Sequence, residues 1–350
     1  MKELLIRYQA ATLAAFQQQR SGETRLGETL QFADATLPLA DALRLAKAAG
    51  VRYVLLGIPE DIGPRANFGN GGADLGFQAF LKRFVNLQAN PFVDGRQILL
   101  LGEIKLQDLQ QQSVALQSQD AEQLATLRSL CAQIDERTTP VLRAIFDAGL
   151  TPLVIGGGHN NALPLLKALA QSSGSQVNAV NLDPHCDFRL QEGRHSGNGF
   201  SYASALGYLN RYFVLGLHEL KNSATALAQL QQAGAAYCSY QDLYLHQRCT
   251  FDEAVAEAIR FVDQQQTPVG IELDTDSISM MPVSAFTNCG VSVREAEQYV
   301  YQLAKLPQSR YLHLAEAAPA QHPAGLAAGM SEAGQVLTAL VLAFIQARNK

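Results

Sequence analysis

The sequence predicts an α/β fold whose parallel sheet is covered on both faces, and two observations carry that expectation. Short β-branched apolar runs alternate with longer helical patterns along the chain. The runs are nearly continuous in apolar residues, as in strands that bury both faces, rather than alternating apolar with polar. Strands are expected at Val51–Ile58, Gln97–Leu101, Pro152–Ile155, Val177–Leu182, Tyr212–Leu217, Pro268–Leu273 and Arg310–Leu314. Helices are expected over Ala121–Ala148, Asn161–Gln171, Ser223–Ala233, Asp252–Gln265, Val293–Leu306 and Gly334–Ala347. The Gln-dense stretch Gln107–Asp120 reads as a solvated loop leading into a helix.

At 350 residues the chain has room for one large α/β domain or two modest ones. No linker rich in Pro, Gly or Ser divides it, so a single domain over residues 1–350 is expected, with 1–50 as a helical extension ahead of a 51–350 core. The hydrophobic share of 47% suits a sizeable core. A net charge of −5 argues against nucleic acid or an anionic membrane as partner. Cys131, Cys186, Cys238, Cys249 and Cys289 are odd in number and form no C-x-x-C, so reduced thiols are expected rather than a disulfide framework or a thiolate zinc site. The opening MKELLIRYQAATLAAF mixes charge and Gln into its apolar positions, unlike a secretory leader, and no uninterrupted apolar run approaches membrane-spanning length. The cytoplasm is the compartment expected.

In an open α/β sheet, function gathers where strands hand over to loops at their carboxyl ends. Three strand ends here carry acid and imidazole. In VIGGGHNN, Gly156, Gly157 and Gly158 permit a tight turn before His159; taken alone this reads sooner as a phosphate-binding turn or an ordinary strand–helix corner than as a metal ligand. In VNLDPHCDFR, Asp183, His185 and Asp187 fall at i, i+2 and i+4. An extended backbone would put all three on one face, with Cys186 and Phe188 turned into packing. Three ionisable groups on one face of an apolar strand end call for a bound cation. In VGIELDTDSIS, Glu272, Asp274 and Asp276 alternate in the same way. Either Glu272/Asp274 or Asp274/Asp276 fits as the ligating pair. The second lies nearer the carboxyl edge and is preferred, which leaves Glu272 deeper, behind the ligands.

The combined set, His159, Asp183, His185, Asp187, Asp274 and Asp276, holds two imidazoles and four carboxylates. Four carboxylates offset two divalent ions. Oxygen-rich, thiolate-free ligation favours Mn²⁺, two per subunit, over structural Zn²⁺, with Zn²⁺, Fe²⁺ and Co²⁺ left open. Two such ions at about 3.5–4 Å share a water, lower its pKa and present hydroxide to an electrophilic carbon.

These motifs resemble the signatures of the ureohydrolases, the arginase–agmatinase–formimidoylglutamase family, which read approximately GG-D/G-H, D-A-H-x-D and S-x-D-x-D-x-x-D-P. The likeness runs from about Val51 to the C-terminus and includes GIPEDIGPRANFGNGGA (Gly57–Ala73). It implies a three-layer α/β/α sandwich around a mostly parallel, roughly eight-stranded sheet, the arginase-like fold, as one catalytic domain often assembled into homo-oligomers. It also implies one metal on His159, Asp183, Asp187 and Asp274 and another on His185, Asp183, Asp274 and Asp276. Asp187 would further pass a proton to the leaving nitrogen. YLHLAEAAP (Tyr311–Pro319) is similar to the family strand ending in Glu-x-x-Pro, whose Glu receives a guanidinium or amidinium group. That makes Glu316 a catalytic and substrate-binding candidate, since a carboxylate pairs with a planar cation through two parallel hydrogen bonds. The bland alternative is a surface salt bridge.

Departures from the family bear on the substrate. Phe200 in His195-Ser196-Gly197-Asn198-Gly199-Phe200 stands where arginases carry a proton-shuttling histidine. The arginase-type acidic cluster is missing from LGLHELKNSA (Leu215–Ala224). Both features resemble the formimidoylglutamase branch and imply N-formimidoyl-L-glutamate as substrate, giving L-glutamate and formamide. Two substrate carboxylates call for donors, and Arg189, Arg194, Arg65, Asn198 and Asn222 are the candidates. Arg189 comes first, with a supporting ion pair to a metal-binding carboxylate as its alternative; Asn222 serves equally as a helix N-cap. Pro184, Asn160 and Ser279-Met280 also differ from the family without removing a ligand. The alternatives are a guanidino compound releasing urea and, in a different class, a non-catalytic binding protein on this fold.

Overall fold

The computed structural model describes residues 4–263 and 266–349. Nine strands form one sheet: β1 (Leu5–Arg7), β2 (Tyr53–Gly57), β3 (Ile98–Ile104), β4 (Thr151–Ile155), β5 (Val177–Leu182), β6 (Leu209–Leu217), β7 (Ala236–Ser239), β8 (Val269–Asp274) and β9 (Ser309–Ala315). Their order is β1-β3-β2-β4-β9-β8-β5-β6-β7. Every pairing is parallel except β1 against β3.

Neighbouring residues on a strand point to opposite faces, and the core divides accordingly. Leu55, Leu100, Leu153, Ile271 and Leu312 pack under the helices Gly76–Phe84, Phe251–Val262, Val293–Ala304 and Leu326–Arg348. Val54, Leu56, Leu99, Leu101, Ala179 and Val214 face the opposite layer, built from Leu39–Ala48, Ala121–Asp147, Ala162–Ser173 and Ala224–Gln232. The three-layer architecture thus follows from strands apolar on both sides.

All seven expected strands form, with ends displaced by a few residues. Two more were not expected from the sequence pattern, which raises the count from seven to nine, one above the roughly eight that the resemblance implied. β1 is only three residues long, and it makes the first fifty residues a sheet edge as well as a helical extension. It pairs at Gly102, whose φ of +128° and lack of Cβ admit Ile6 O; a Cβ there would meet that oxygen. β7, the other edge, is four residues long and half exposed.

Five of the six expected helices form within a few residues of their expected bounds, although Gln264 and Gln265 of Asp252–Gln265 lie outside the described residues, as does the start Met1–Glu3; the sixth, expected over Gly334–Ala347, begins eight residues earlier and spans Leu326–Arg348. The expected loop Gln107–Asp120 is helical over Gln107–Ser113, because Leu109 and Ser113 bury one face and Gln tolerates the helix well. By length and composition Leu326–Arg348 could cross a membrane, but 61% of its apolar window is buried inside the protein, with Leu337, Leu340, Val341 and Phe344 in the core.

Candidate metal centre and substrate cavity

The parallel register aligns the strand ends that carry the acids. Ile155 lies beside Leu314, Leu314 beside Leu273, and Leu273 beside Leu182. β4, β9, β8 and β5 are consecutive in the sheet, so His159, Glu316, Asp274/Asp276 and Asp183–Asp187 emerge side by side. Chain order reverses here, with β4 and β5 separated by β9 and β8. This is the switch point at which open sheets form clefts.

Ligating atoms of His159, Asp183, Asp187 and Asp274 lie within 4.8 Å of one another, as do those of Asp183, His185 and Asp276. His159 Nδ1 faces Asp187 Oδ2 at 3.1 Å, Asp183 Oδ2 at 3.2 Å and Asp274 Oδ2 at 3.4 Å. His185 Nδ1 faces Asp276 Oδ2 at 3.1 Å and Asp183 Oδ1 at 3.5 Å. Asp183 therefore offers one oxygen to each group. His159 Nδ1 and Asp276 Oδ1 are buried without a hydrogen-bond partner, as suits donors aimed at cations.

The backbone does not run extended as the alternating spacing suggested. β5 ends at Leu182, the chain bends at Pro184-His185, and Asp187 takes a left-handed φ of +47°. Asp276 sits in a 3₁₀ turn beyond β8. Short turns, rather than period two, converge the side chains, while Cys186 and Phe188 are buried as expected.

Electrostatics reflect this crowding. Burial opposes the His159 and His185 imidazolium forms, but the facing carboxylates outweigh it and hold both pKa values well above the ordinary range. Burial likewise opposes the Asp183 carboxylate, yet the two histidines bring its pKa down to about 2. Burial and then the charge of Asp183 push Asp187 up to about 6. With only protein groups counted, protons on the histidines offset the acids, and divalent cations would displace those protons.

Glu272 stands behind the centre. Its carboxylate approaches His159 Nε2 at 3.3 Å, His313 Nδ1 at 2.6 Å and accepts from Tyr311 Oη at 2.6 Å. It meets the His159 ring at Nε2, while Asp274 faces Nδ1 of that ring and Asp276 faces His185 Nδ1; His159, Glu272 and His313 form a further cluster of their own.

Beside this cluster opens a cavity of about 320 Å³, whose lining includes His185, Asp187, Asp274, Asp276 and Glu316. Glu316 has a left-handed φ of +66° and accepts from His159 N at 2.9 Å. Such strain at two cavity carboxylates marks a functional site. Burial, then repulsion from Asp276 and Asp187, outweighs that hydrogen bond and pushes Glu316 up to about 8. A planar cation seated against it would relieve the repulsion.

Arg189 is exposed and lines the cavity. Three other expected substrate contacts are committed elsewhere. Asn198 is fully buried, accepting from Arg194 Nη1 at 2.6 Å and donating to Gly193 O and Leu190 O. Arg194 is buried against Asp135, 2.7 Å away, and against Asn160 O. Arg65 donates to Ser113 and Leu116 and lies outside the cavity lining. Each satisfies buried polar groups of the scaffold, a demand that spacing alone does not reveal.

Asn222 does line the cavity, but its amide is used up: it accepts from Cys186 N at 2.8 Å and donates to Pro184 O and His218 O at 2.9 Å. It fastens the Asp183–Asp187 loop, and Ser223 is the helix N-cap. Phe200 lies in the core, edge-on to His159 and stacked on Tyr212, so it bounds the centre from behind rather than from the cavity. Lys221 was missed. It follows β6, lines the cavity, and is with Arg189 the only Lys or Arg among the lining residues. A cation just past an apolar strand is the same signal that exposed the acids.

A family model, the arginase family, matches residues 51–341. A formimidoylglutamase of Streptococcus pyogenes is 32% identical over 173 residues, which span 45% of this chain and 51% of that protein; the chain thus matches about half the length of its curated relative. The formimidoylglutamase of Bacillus subtilis shares the fold with a TM-score of 0.73 at 14% identity, covering 95% of this chain and 94% of its own. A Trypanosoma cruzi formiminoglutamase with Mn²⁺ gives 0.68 at 19% identity, covering 92% and 99%. The proclavaminate amidino hydrolase of Streptomyces clavuligerus gives 0.64 at 18% identity, covering 85% and 93%. The two buried His/Asp groups are consistent with a dinuclear metal centre of the arginase-family kind.

Proposed function

Since this chain belongs to the arginase family, we propose that it hydrolyses a linear amidine, N-formimidoyl-L-glutamate, to L-glutamate and formamide with two Mn²⁺ per subunit. The observation that carries this is the make-up of the cavity lining: its acids, Asp187, Asp274, Asp276 and Glu316, include three members of the His/Asp groups, and Arg189 and Lys221 are its only Lys or Arg side chains. An amidinium with a dicarboxylate tail matches that arrangement. The α-ammonium of arginine would meet cations instead.

His159, Asp183, Asp187 and Asp274 would hold one ion, with His185 and Asp276 joining Asp183 at the other, where the resemblance adds Asp274. When bound, such a pair of ions supplies hydroxide near neutral pH and stabilises charge developing in the transition state. Glu316 takes the planar amidinium through paired hydrogen bonds and sets the amidine carbon beside the centre. Arg189 and Lys221 hold the two tail carboxylates. Asp187, reaching the centre from its left-handed turn, would accept the proton left on the attacking water-derived oxygen and pass it to the leaving nitrogen as the C–N bond breaks. Five free cysteines support a reducing cytoplasmic setting.

Purified protein loaded with Mn²⁺ is expected to release formamide and glutamate stoichiometrically from formimidoylglutamate. Urea from guanidino acids, with no formamide from the amidine, would instead make it a guanidino-acid hydrolase.

A further inference from the structure

Glu60 has no part in the roles above, yet it is fully buried a few residues past β2. Its Oε1 accepts from Gly158 N at 2.6 Å and from Asn161 Nδ2 at 2.8 Å, and its Oε2 accepts from Gly63 N at 2.9 Å. One carboxylate thus ties the loop after β2 to the turn after β4. No salt bridge to Glu60 occurs among the described residues, so three neutral donors offset the cost of burying it.

The turn it grips has two outputs. It ends in His159, and Gly157 O accepts from Glu316 N at 2.9 Å while His159 N donates to the Glu316 carboxylate. Gly157, at φ +75°, is pressed onto the same carboxylate. A Cβ there would lie 2.9 Å from Glu60 Oε1 and 2.8 Å from Ile58 O. The turn therefore has little freedom to move independently of Glu60. Of the two groups proposed to hold the ions, His159 belongs to that of Asp183, Asp187 and Asp274 and not to that of Asp183, His185 and Asp276; its other cluster, with Glu272 and His313, lies on its Nε2 side, and none of Gly63, Gly158 and Asn161 belongs to any of them.

We infer that Glu60 is a positioning residue that sets the His159 turn, and through it Glu316, so that it governs one of the two metal positions selectively. This role presupposes the dinuclear centre proposed above. Mn²⁺ binding by the full-length protein, counted by calorimetry and by the free-ion EPR signal, tests it. Wild type is expected to take up two ions. Glu60→Gln, which replaces one acceptor by a donor facing Gly63 N, should hold one ion nearly as wild type and bind the other about 10- to 100-fold more weakly. Its kcat should fall and its KM for the amidine rise. Should Glu60→Gln not fold, Asn161→Ala removes a single tether and should show the same selective weakening, smaller in size. Equal weakening of both ions, or of neither, in a folded variant overturns the role of Glu60. A wild type that takes up fewer than two ions overturns the dinuclear centre itself.

Discussion

Single residues divide by how many demands they meet. Asp183 serves both His/Asp groups, accepts from Asn181 Nδ2 at 2.9 Å and from His185 N at 2.6 Å, and is fully buried. Asp183→Asn should therefore abolish binding of both ions and reduce activity to background; one ion retained would deny it a bridging place. Glu272 meets His159 at Nε2, opposite the carboxylates that face Nδ1, so Glu272→Gln should leave the fold intact and weaken metal binding about 10- to 100-fold, measured by competition with a chelator. Lys221→Met should raise KM for formimidoylglutamate about tenfold, the worth of one charged hydrogen bond, with kcat largely kept. An unchanged KM would remove Lys221 from substrate recognition. The convergent acids and imidazoles were legible because such groups are anomalous after apolar strands. Asn198 and Arg194 misled because polar residues that satisfy one another look, in sequence, like those that await a ligand.

At the scale of elements, the loop Arg189–Asn198 is held by a buried ion pair rather than by hydrophobic contacts. Arg194 joins Asp135 of the helix Ala121–Asp147 to Asn198 and Asn160 O, with its guanidinium over the Tyr202 ring. Asp135→Ala strands that charge and should cost about 3–5 kcal/mol, read as a lower urea midpoint. The seven long strands were readable because both of their faces are apolar. β1 and β7 were not, since three or four residues at a sheet edge carry too little pattern, and β1 exists only because Gly102 lets it dock.

For the whole molecule, the sheet order brings together His159 and Asp274, more than a hundred residues apart, and if they hold the proposed ions stability should follow metal. Free Mn²⁺ at about 100 times its dissociation constant adds roughly 2.7 kcal/mol, so chelation should lower Tm reversibly. A separate pH effect belongs to His195, whose pKa is depressed to about 3 by burial and then by Arg128, Arg194 and Arg189. The unfolded chain binds that proton near the ordinary value of 6.5, and the folded chain resists it to about 3. Stability from this group is complete above about pH 6.5 and is lost as pH falls from there toward 3. At equal metal loading, His195→Gln should lose less stability than wild type between pH 6.5 and 4.5; parallel curves would show that His195 titrates normally.

By itself the sequence determined the layered α/β class, the six acids and imidazoles, and the strand ends that carry them. Those are local properties, written in apolar runs and in the charge that interrupts them. Only the tertiary structure decided that β4, β9, β8 and β5 stand side by side, that Asp183 divides its oxygens between two groups, and that Lys221 rather than Arg194 or Arg65 reaches the cavity. Strand order and the pairing of buried polar groups depend on contacts between distant segments. No window of sequence contains both partners.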